Sequence, residues 1–326
     1  MFLSYSKPKR WLLFFQITVS VLAIFYVVYK IISFAYWNDF FIWINNNIKS
    51  FLWLIAIQLC LSFINISVET LRWRLLTSLL EKQKFFDSMR QVLYGILIGM
   101  ITPAKLGEPV GKSLLLRKGN RYRGIILSFT GSLFQNFVII AVGILALIIL
   151  KHNYIRFIEL FPILSEKILF YILIISILII LVVFALLKLY FLKQKKGLIR
   201  KLSFYLQILK KITIKKLINL LLLTILRYII FSFQFLLVLT FLDILVTPMQ
   251  FWLIPFYYLI ITFLPAIALA DLGVRSSAAL IVFGVFCNNS AAIISATFII
   301  WFFNLVLPAF SNLFFNFSPK KHYFLK

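Results

Sequence analysis

Acidic residues, cysteine and histidine are all scarce in this sequence. Its 326 residues include 9 Asp and Glu against 34 Lys and Arg, with two Cys, two His and 13% charged residues in all. A soluble globular domain carries about a quarter charged residues, so that class is excluded. Isolated cysteines and histidines give neither a disulfide framework nor the ligand spacing of a metal site. We therefore expect no cofactor and no bound metal.

Long hydrophobic runs make up most of the chain. Hydrophobic residues account for 63% of it and the mean hydropathy is +1.03, values typical of a polytopic membrane protein. We predict an all-α fold in a single domain, 1–326, with six full spans and two re-entrant hairpins where Pro and Gly interrupt apolar sequence. The full spans are predicted at 11–32, 51–68, 124–150, 168–192, 217–242 and 289–315, and the hairpins at 89–116 and 251–286.

The basic residues are unevenly distributed between the two sides of this topology. Of the 34, 27 fall on the side that holds both termini and 5 on the opposite side. The positive-inside rule then predicts that both termini are cytoplasmic, and we expect a multi-pass protein of the bacterial cytoplasmic (inner) membrane. The basic stretch at 188–216 should lie against anionic lipid headgroups, so no nucleic-acid partner is expected.

One sequence arrangement occurs twice. Residues 102–113 (TPAKLGEPVGKS) and 264–277 (LPAIALADLGVRSS) each interrupt apolar sequence with Pro and continue through Leu-Gly and a charged residue. Counting crossings gives the two hairpins opposite orientations, which predicts inverted halves at 1–160 and 161–326. In transporters, broken helices at corresponding places in inverted repeats form the substrate site.

Each break is followed by the start of a short helix, near Glu108 in the first motif and Asp271 in the second. The unpaired N–H groups and positive dipole ends of two such half-helices would attract an anionic headgroup. In the structural alternative, Glu108 caps its own helix and Asp271 pairs with Arg275. The basic residues beside the two helix starts are Lys105, Lys112 and Arg275.

Polar residues also follow one face of the second predicted span, at positions 58, 62, 65, 69 and 72. Three spans that flank the hairpins carry polar groups at 128–136, 224–234 and 290–311. We expect these faces to converge on one cavity, although ordinary hydrogen bonding between helices is the simpler alternative for any single Ser or Asn. Arg227 is different, because a charge ten residues into a span is costly and usually functional.

Patterns typical of enzymes are weak. The GKS at 111–113 resembles the end of a phosphate-binding loop, but its spacing from Gly107 is one residue short and no strand precedes it. An intramembrane enzyme would have to use Glu69, Glu108 or Asp271 without a histidine partner. An enzyme is therefore less expected than a transporter.

Three ordered motifs carry a resemblance to a known family. They are TLRWRLL (70–76), TPAKLGEPVGKSLLL (102–116) and LPAIALADLGVRSSAAL (264–280). With them the chain resembles, over essentially its whole length, the membrane domain of lysylphosphatidylglycerol synthases, a flippase-like integral membrane domain. The resemblance implies an eight-segment helical membrane fold that moves or holds lipid-linked anionic or zwitterionic substrates. By residue it carries over to Arg72, Trp73, Gly107, Glu108, Gly273 and Arg275.

The leading hypothesis is a translocase for a membrane lipid or lipid-linked intermediate, with an anionic headgroup bound at the two half-helices. One alternative is an intramembrane transferase acting on phospholipid or polyprenyl-phosphate substrates, with Glu108 or Asp271 as base. Another is a non-catalytic accessory subunit of a partner transferase. The predicted substrate-binding residues are Glu69, Arg72, Lys105, Gly107, Glu108, Lys112, Gln135, Arg227, Asp271, Gly273, Arg275 and Asn304.

Overall fold

A computed structural model describes residues 37–102, 105–153, 207–245, 247–264 and 271–316. Every regular element in these ranges is helical and none is a strand, which confirms the all-α prediction. The spans predicted at 11–32 and 168–192 lie outside the described residues. The helices are α1 (Trp37–Asn46), α2 (Ile48–Thr77), α3 (Phe85–Ile101), α4 (Gly107–Leu114), α5 (Arg121–Asn153), α6 (Ile214–Phe241), α7 (Leu253–Phe263), α8 (Asp271–Phe283), α9 (Ser290–Trp301) and α10 (Leu307–Asn316).

Four helical segments in the described part of the chain are long and apolar enough to cross a membrane. They contain the spans predicted at 51–68 and 124–150 and overlap those predicted at 217–242 and 289–315, which are confirmed to that extent. The last of them is not a regular α-helix throughout, because a π-helical turn at Phe302–Val306 joins α9 to α10. The four segments are Ile48–Thr77, Lys118–His152, Ile214–Phe241 and Ser290–Asn312.

Both interrupted stretches fold as a helix, a break and a second helix. In the first hairpin, residues 102–106 separate α3 from α4; in the second, α7 ends at Phe263 and α8 begins at Asp271. With 8 residues in α4 and 13 in α8, neither second helix reaches the ~20 residues that a full crossing needs. The opposite orientation of the two hairpins stays a prediction.

The break in the first hairpin has a local cause. Thr102 adopts an extended conformation (φ −99°, ψ 145°), as expected for a residue that precedes proline, and so ends α3. Its hydroxyl oxygen accepts a hydrogen bond of 2.8 Å from the backbone N–H of Gly107, the first residue of α4. Between them Lys105 has a left-handed backbone (φ 56°), a conformation that few non-glycine residues adopt.

Glycines bring α3 and α4 into backbone contact. Gly95 and Gly99 on α3, and Gly107 and Gly111 on α4, form two four-residue repeats of small residues. A Cβ atom on Gly111 would lie 2.8 Å from the Cα of Gly95 and 3.0 Å from the carbonyl oxygen of Tyr94. Small residues at this spacing let membrane helices approach closely. The first hairpin is therefore a tightly closed unit.

The second hairpin packs against an apolar core. The rings of Phe235 on α6, Tyr257 on α7 and Phe283 on α8 lie with centroids 5.1 to 5.7 Å apart. Aromatic pairs at these separations add to the stabilisation from burial itself. Aromatic packing of this kind holds α7 and α8 against α6, so the two hairpins are fixed by different means.

Candidate functional site

The polar face of α2 is buried. Gln58, Ser62, Asn65, Glu69 and Arg72 each expose 8% or less of their surface, as the spacing predicted. Apolar side chains of the same helix are exposed instead. In a membrane this arrangement is expected, because polar groups facing hydrocarbon would have no hydrogen-bond partner.

This polar face meets two other helical segments. The Gln58 side chain donates a hydrogen bond of 3.0 Å to the backbone oxygen of Gln234 on α6. Asn65 donates one of 2.9 Å to the side-chain oxygen of Asn304, in the π-helical turn. The predicted convergence of polar groups from separate spans is thus observed for these helices.

Glu69 is the centre of a charged cluster. Its carboxylate lies 2.5 Å from Arg72 on the same helix, 2.6 Å from Lys112 on α4 and 3.2 Å from Arg227 on α6. Lys112 also contacts Glu108, at 2.7 Å. One carboxylate therefore joins three helices that are distant in sequence, and the first hairpin is attached to the bundle through it.

Two arginines of this cluster share a further neighbour. Both Arg72 and Arg227 donate hydrogen bonds to the side-chain oxygen of Gln135 on α5, at 3.2 and 3.3 Å. Arg72 also donates to the carbonyl oxygen of Gly131 at 2.7 Å, and Arg227 to the side-chain oxygen of Asn65 at 3.2 Å. Each guanidinium group is held in one orientation by neutral oxygens as well as by Glu69.

A cavity of about 640 Å³ lies beside the cluster and is lined by residues of both hairpins. Lys112, almost fully buried behind its wall, is bonded to two of the lining carboxylates. Together, five cations and three carboxylates surround the space, a net charge of +2. The charged lining residues are Glu69, Arg72, Lys105, Glu108, Arg227, Asp271 and Arg275.

The second hairpin contributes a locally paired acid and base. Asp271 and Arg275 lie one turn apart on α8, with Oδ1 and Nε 3.0 Å from each other. This is the local pairing that the structural alternative predicted. The other half of that alternative, a helix cap by Glu108, is absent, because the N-cap residue of α4 is Leu106 and the N–H of Gly107 is bonded to the Thr102 hydroxyl.

Most of the chain matches one known protein family. The family model described as Lysylphosphatidylglycerol synthase TM region matches residues 13–311. The chain belongs to this family. Searches of curated proteins and of solved structures gave no significant match. The resemblance drawn from the three motifs is confirmed, and the cavity lies within the matched residues of this multi-pass membrane domain.

Within this family member, the predicted site residues fall into three groups. Lys112 is buried behind the cavity wall, and Gly107 and Gly273 do not line it. The backbone N–H of Gly107 donates a hydrogen bond to the Thr102 hydroxyl, and the contact of these residues with a ligand stays a prediction. The nine that line the cavity are Glu69, Arg72, Lys105, Glu108, Gln135, Arg227, Asp271, Arg275 and Asn304.

Lys105 differs from the other cations of the cavity. It lies in the break of the first hairpin and is exposed, and Glu108 and Asp271 act on it as nearby charges while their direct ion-pair partners are Lys112 and Arg275. Strained backbone conformations of this kind concentrate at functional sites. Lys105 is therefore the cation with the greatest freedom to meet a ligand.

Two aromatic residues of the cavity wall carried no signal in the sequence. Tyr258 on α7 and Trp301 at the end of α9 both line the cavity. With 14 Tyr, 7 Trp and 37 Phe in the chain, neither stands out by composition. Helical spacing offers a clue for Trp301, which lies three residues before Asn304 and so on a neighbouring face.

Proposed function

We propose that this family member is a translocase for a membrane lipid or lipid-linked intermediate, and that its anionic headgroup binds in the cation-lined cavity. The observation that carries the proposal is the surplus of positive charge around a cavity between membrane helices. Charged side chains inside a membrane domain are costly and are retained mainly at functional sites.

The surplus is not neutralised by the neighbouring residues. The carboxylates of Glu69, Glu108 and Asp271 are each already within 3.0 Å of another cation, so they offset the charge of Lys105 only in part. A phosphodiester or phosphomonoester would bring one or two negative charges and offset the net charge of +2. Lys105 and the partly exposed Arg227 are the groups best placed to contact it.

The edge of the same cavity is apolar, which favours a lipid over a water-soluble anion. Leu106, Phe129, Leu133, Phe263 and Leu264 all line it, and each exposes 42% of its surface or more. Exposed apolar side chains beside a charged interior suit a ligand with a polar head and hydrocarbon chains. The headgroup would lie among the cations while the chains remain in the bilayer.

The state of the carboxylates favours this function over an intramembrane transferase. A general base must be available to accept a proton from the reacting group. Glu108 is paired with Lys112 at 2.7 Å and Asp271 with Arg275 at 3.0 Å, so both are engaged as anions in ion pairs.

The proposal includes a location and partners. The protein would reside in the bacterial cytoplasmic membrane with both termini in the cytoplasm, as the basic residues predict. Its ligand would be an anionic phospholipid or a lipid-linked substrate. A partner transferase that makes or consumes this lipid would supply or remove it.

Reconstitution into sealed liposomes tests the function. Fluorescent phosphatidylglycerol and phosphatidylcholine are placed in both leaflets, and a membrane-impermeant reductant reveals how much of each lipid reaches the outside. We expect the protein to increase the accessible fraction of the anionic lipid, and Arg227→Gln to abolish the increase. That variant should fold, because Glu69 keeps Arg72 and Lys112 as partners.

Arg74→Gln is the matched control, since Arg74 is an exposed arginine of α2 that does not line the cavity. It should move lipid like the unmodified protein. If the unmodified protein does not increase the accessible fraction of the anionic lipid, the translocase hypothesis is overturned. Modified lipid formed from donor and acceptor in detergent would establish a transferase instead, and failure in both assays with co-purification of an enzyme would indicate an accessory subunit.

A further inference from the structure

Two side-chain amides in the cavity wall are locked in one orientation by their neighbours. The side-chain oxygen of Gln135 accepts hydrogen bonds from Arg72 and Arg227. A guanidinium group can only donate, so the oxygen end of the Gln135 amide must face the two arginines. Its NH₂ group is thereby turned away from them.

The orientation of the second amide, that of Asn304, follows in the same way from its contact with Asn65. Arg227 donates to the side-chain oxygen of Asn65, which leaves the NH₂ group of Asn65 to donate to the oxygen of Asn304. The oxygen of Asn304 is thus engaged, and its NH₂ group is the end of the amide that Asn65 does not contact. Arg227 therefore contributes to the orientation of both amides, and Arg72 is a second donor to Gln135.

Neither of these NH₂ groups has a hydrogen-bond partner among the described residues. The two nitrogens are buried, Gln135 exposes only 9% of its surface, and both side chains line the cavity. Buried donors without partners are rare in native proteins, and each needs a specific explanation. A ligand that brings acceptor oxygens would supply what the protein does not.

The backbone around Asn304 is irregular in the way that functional sites often are. Asn304 is the central residue of the π-helical turn, a feature that recurs at functional sites. Ser62 stabilises the turn, since its hydroxyl donates a 2.6 Å hydrogen bond to the carbonyl oxygen of Phe303. The fold thus holds Asn304 in place, with its donor group unused.

We propose that Gln135 and Asn304 form a subsite for hydroxyl groups of a sugar or polyol attached to the phosphate. This inference rests on the proposed function, because it assigns the headgroup chemistry of the same cavity. The cations suit the phosphate, whereas two neutral donors suit neutral oxygens. A hydroxyl must also donate its own proton, and the carboxylate of Glu108, 25% exposed on the cavity wall, can accept it.

A headgroup without hydroxyls would leave both amides unpaired. Sites built to hydrogen-bond a substrate hydroxyl reject analogues that lack it, because the buried polar groups of the site then stay unsatisfied. The subsite should therefore discriminate between two anionic lipids of equal charge. It should also disfavour a choline headgroup, which offers neither hydroxyls nor a net negative charge.

Competition binding with the full-length protein in detergent tests this subsite. The probes are phosphatidylglycerol and phosphatidylpropanol, which share one negative charge and the same number of headgroup carbon atoms but differ by two hydroxyls. We expect phosphatidylglycerol to bind about tenfold more tightly. Asn304→Ser and, separately, Gln135→Met should reduce this ratio to about two or less. A ratio is the appropriate measure, since any disturbance of the arginines weakens both lipids alike.

Gln91→Met is the matched control. Gln91 on α3 also has a buried NH₂ group without a partner among the described residues, but it accepts from Trp73 and does not line the cavity. Its substitution should leave the ratio at the unmodified value. Equal binding of the two lipids by the unmodified protein, or a ratio unaffected in both cavity variants, would overturn the subsite.

These outcomes are distinguishable from failure of the proposed function. If both lipids bind equally and Arg227→Gln weakens both, the anionic-headgroup site stands and the hydroxyl subsite falls. If neither lipid competes better than phosphatidylcholine, both proposals fall. Glycerophosphoglycerol, the same headgroup without acyl chains, separates the two sources of this chemistry. If it competes as well as the lipid, the subsite stands and the lipid specificity of the cavity is overturned.

Discussion

The two hairpins share a sequence pattern but are held in the protein in different ways. In the first, α3 and α4 are in backbone contact, and Glu108 and Lys112 belong to a charged cluster that extends to Glu69 on α2. In the second, Asp271 and Arg275 pair with each other on α8, and the helix is held by aromatic packing. The first hairpin is joined to the bundle by ion pairs that connect several helices, whereas the direct ion pair of the second hairpin lies within a single helix.

The difference bears on how the two sides of the cavity contribute to binding. Charges of the first hairpin are shared between helices, so a change to one of them affects several. The ion pair on the second hairpin lies within one helix, and its arginine side chain is 24% exposed, so a change there breaks no direct ion pair to another helix. We infer that the first hairpin is the fixed wall of the site and the second the adaptable one.

The largest expected difference concerns two separate substitutions, one that removes the carboxylate of Glu69 and one that removes that of Asp271. Glu69→Gln leaves Arg72, Lys112 and Arg227 without their shared anion, and uncompensated buried charge costs about 3–5 kcal/mol of unfolding free energy. Asp271→Asn leaves one cation without its direct partner instead of three, and because the Arg275 side chain is 24% exposed it should cost less, about 1–2 kcal/mol. Thermal unfolding in detergent measures both, and equal losses would contradict the comparison.

The glycines of the two hairpins should respond in opposite directions. Gly111→Ala places a methyl group against the backbone of Gly95 and Tyr94 and should cost about 2–3 kcal/mol, because backbone cannot yield as a side chain can. Gly273→Ala meets nothing within 4 Å in the first turn of α8, and should stabilise the helix by about 0.5 kcal/mol. The same unfolding assay applies, and destabilisation by Gly273→Ala would show that α8 has an unseen close neighbour.

Much of the fold could be predicted from the sequence because a bilayer imposes simple rules. Apolar length identified four spans that the structure contains, and Pro with Gly identified both breaks. The spacing of Gln58 to Arg72 identified the buried face of α2. The π-helical turn could not be predicted, since it arises from packing between α2 and the last span and no residue type encodes it.

The sequence could predict which residues line the cavity, but it could not predict which of them contact one another. Charged and amide residues in apolar sequence are conspicuous, and most of those selected do line the cavity. Which charge neutralises which depends on how closely the helices pack: Lys112 reaches Glu69, 43 positions away, across glycine contacts between α3 and α4. The sequence likewise did not indicate the local hydrogen bond by which the Thr102 hydroxyl accepts the N–H of Gly107 at the start of α4.

A smaller effect is expected at Lys105, which lies in the first hairpin and lines the cavity that both hairpins border. Lys105→Gln removes a cation from a wall of net charge +2, so the empty protein should be as stable as before or gain about 0.5 kcal/mol. Affinity for an anionic lipid should fall about tenfold, the loss expected for one partly exposed charge-assisted contact. A loss of stability without a loss of affinity would show that Lys105 stabilises the fold and does not contact the ligand.

The smallest expected effect concerns the contact of the second hairpin with α9. The hydroxyls of Ser276 and Thr297 lie 3.0 Å apart, and because Thr297 donates its proton to the carbonyl of Ile294 at 2.7 Å, Ser276 must be the donor between them. Ser276→Ala then removes one neutral hydrogen bond and leaves no unpaired donor, at a cost of about 0.5–1 kcal/mol.

Thr297→Val should cost more than Ser276→Ala, because it leaves the buried Ser276 hydroxyl without its acceptor. The double substitution should be no worse than Thr297→Val alone, since it removes both polar groups together. A double-mutant cycle on thermal unfolding measures this coupling. Additive losses would show that the hydroxyls act separately. A coupling of several kcal/mol would mean that the second hairpin is anchored as firmly as the first, and the distinction between a fixed and an adaptable wall would fail.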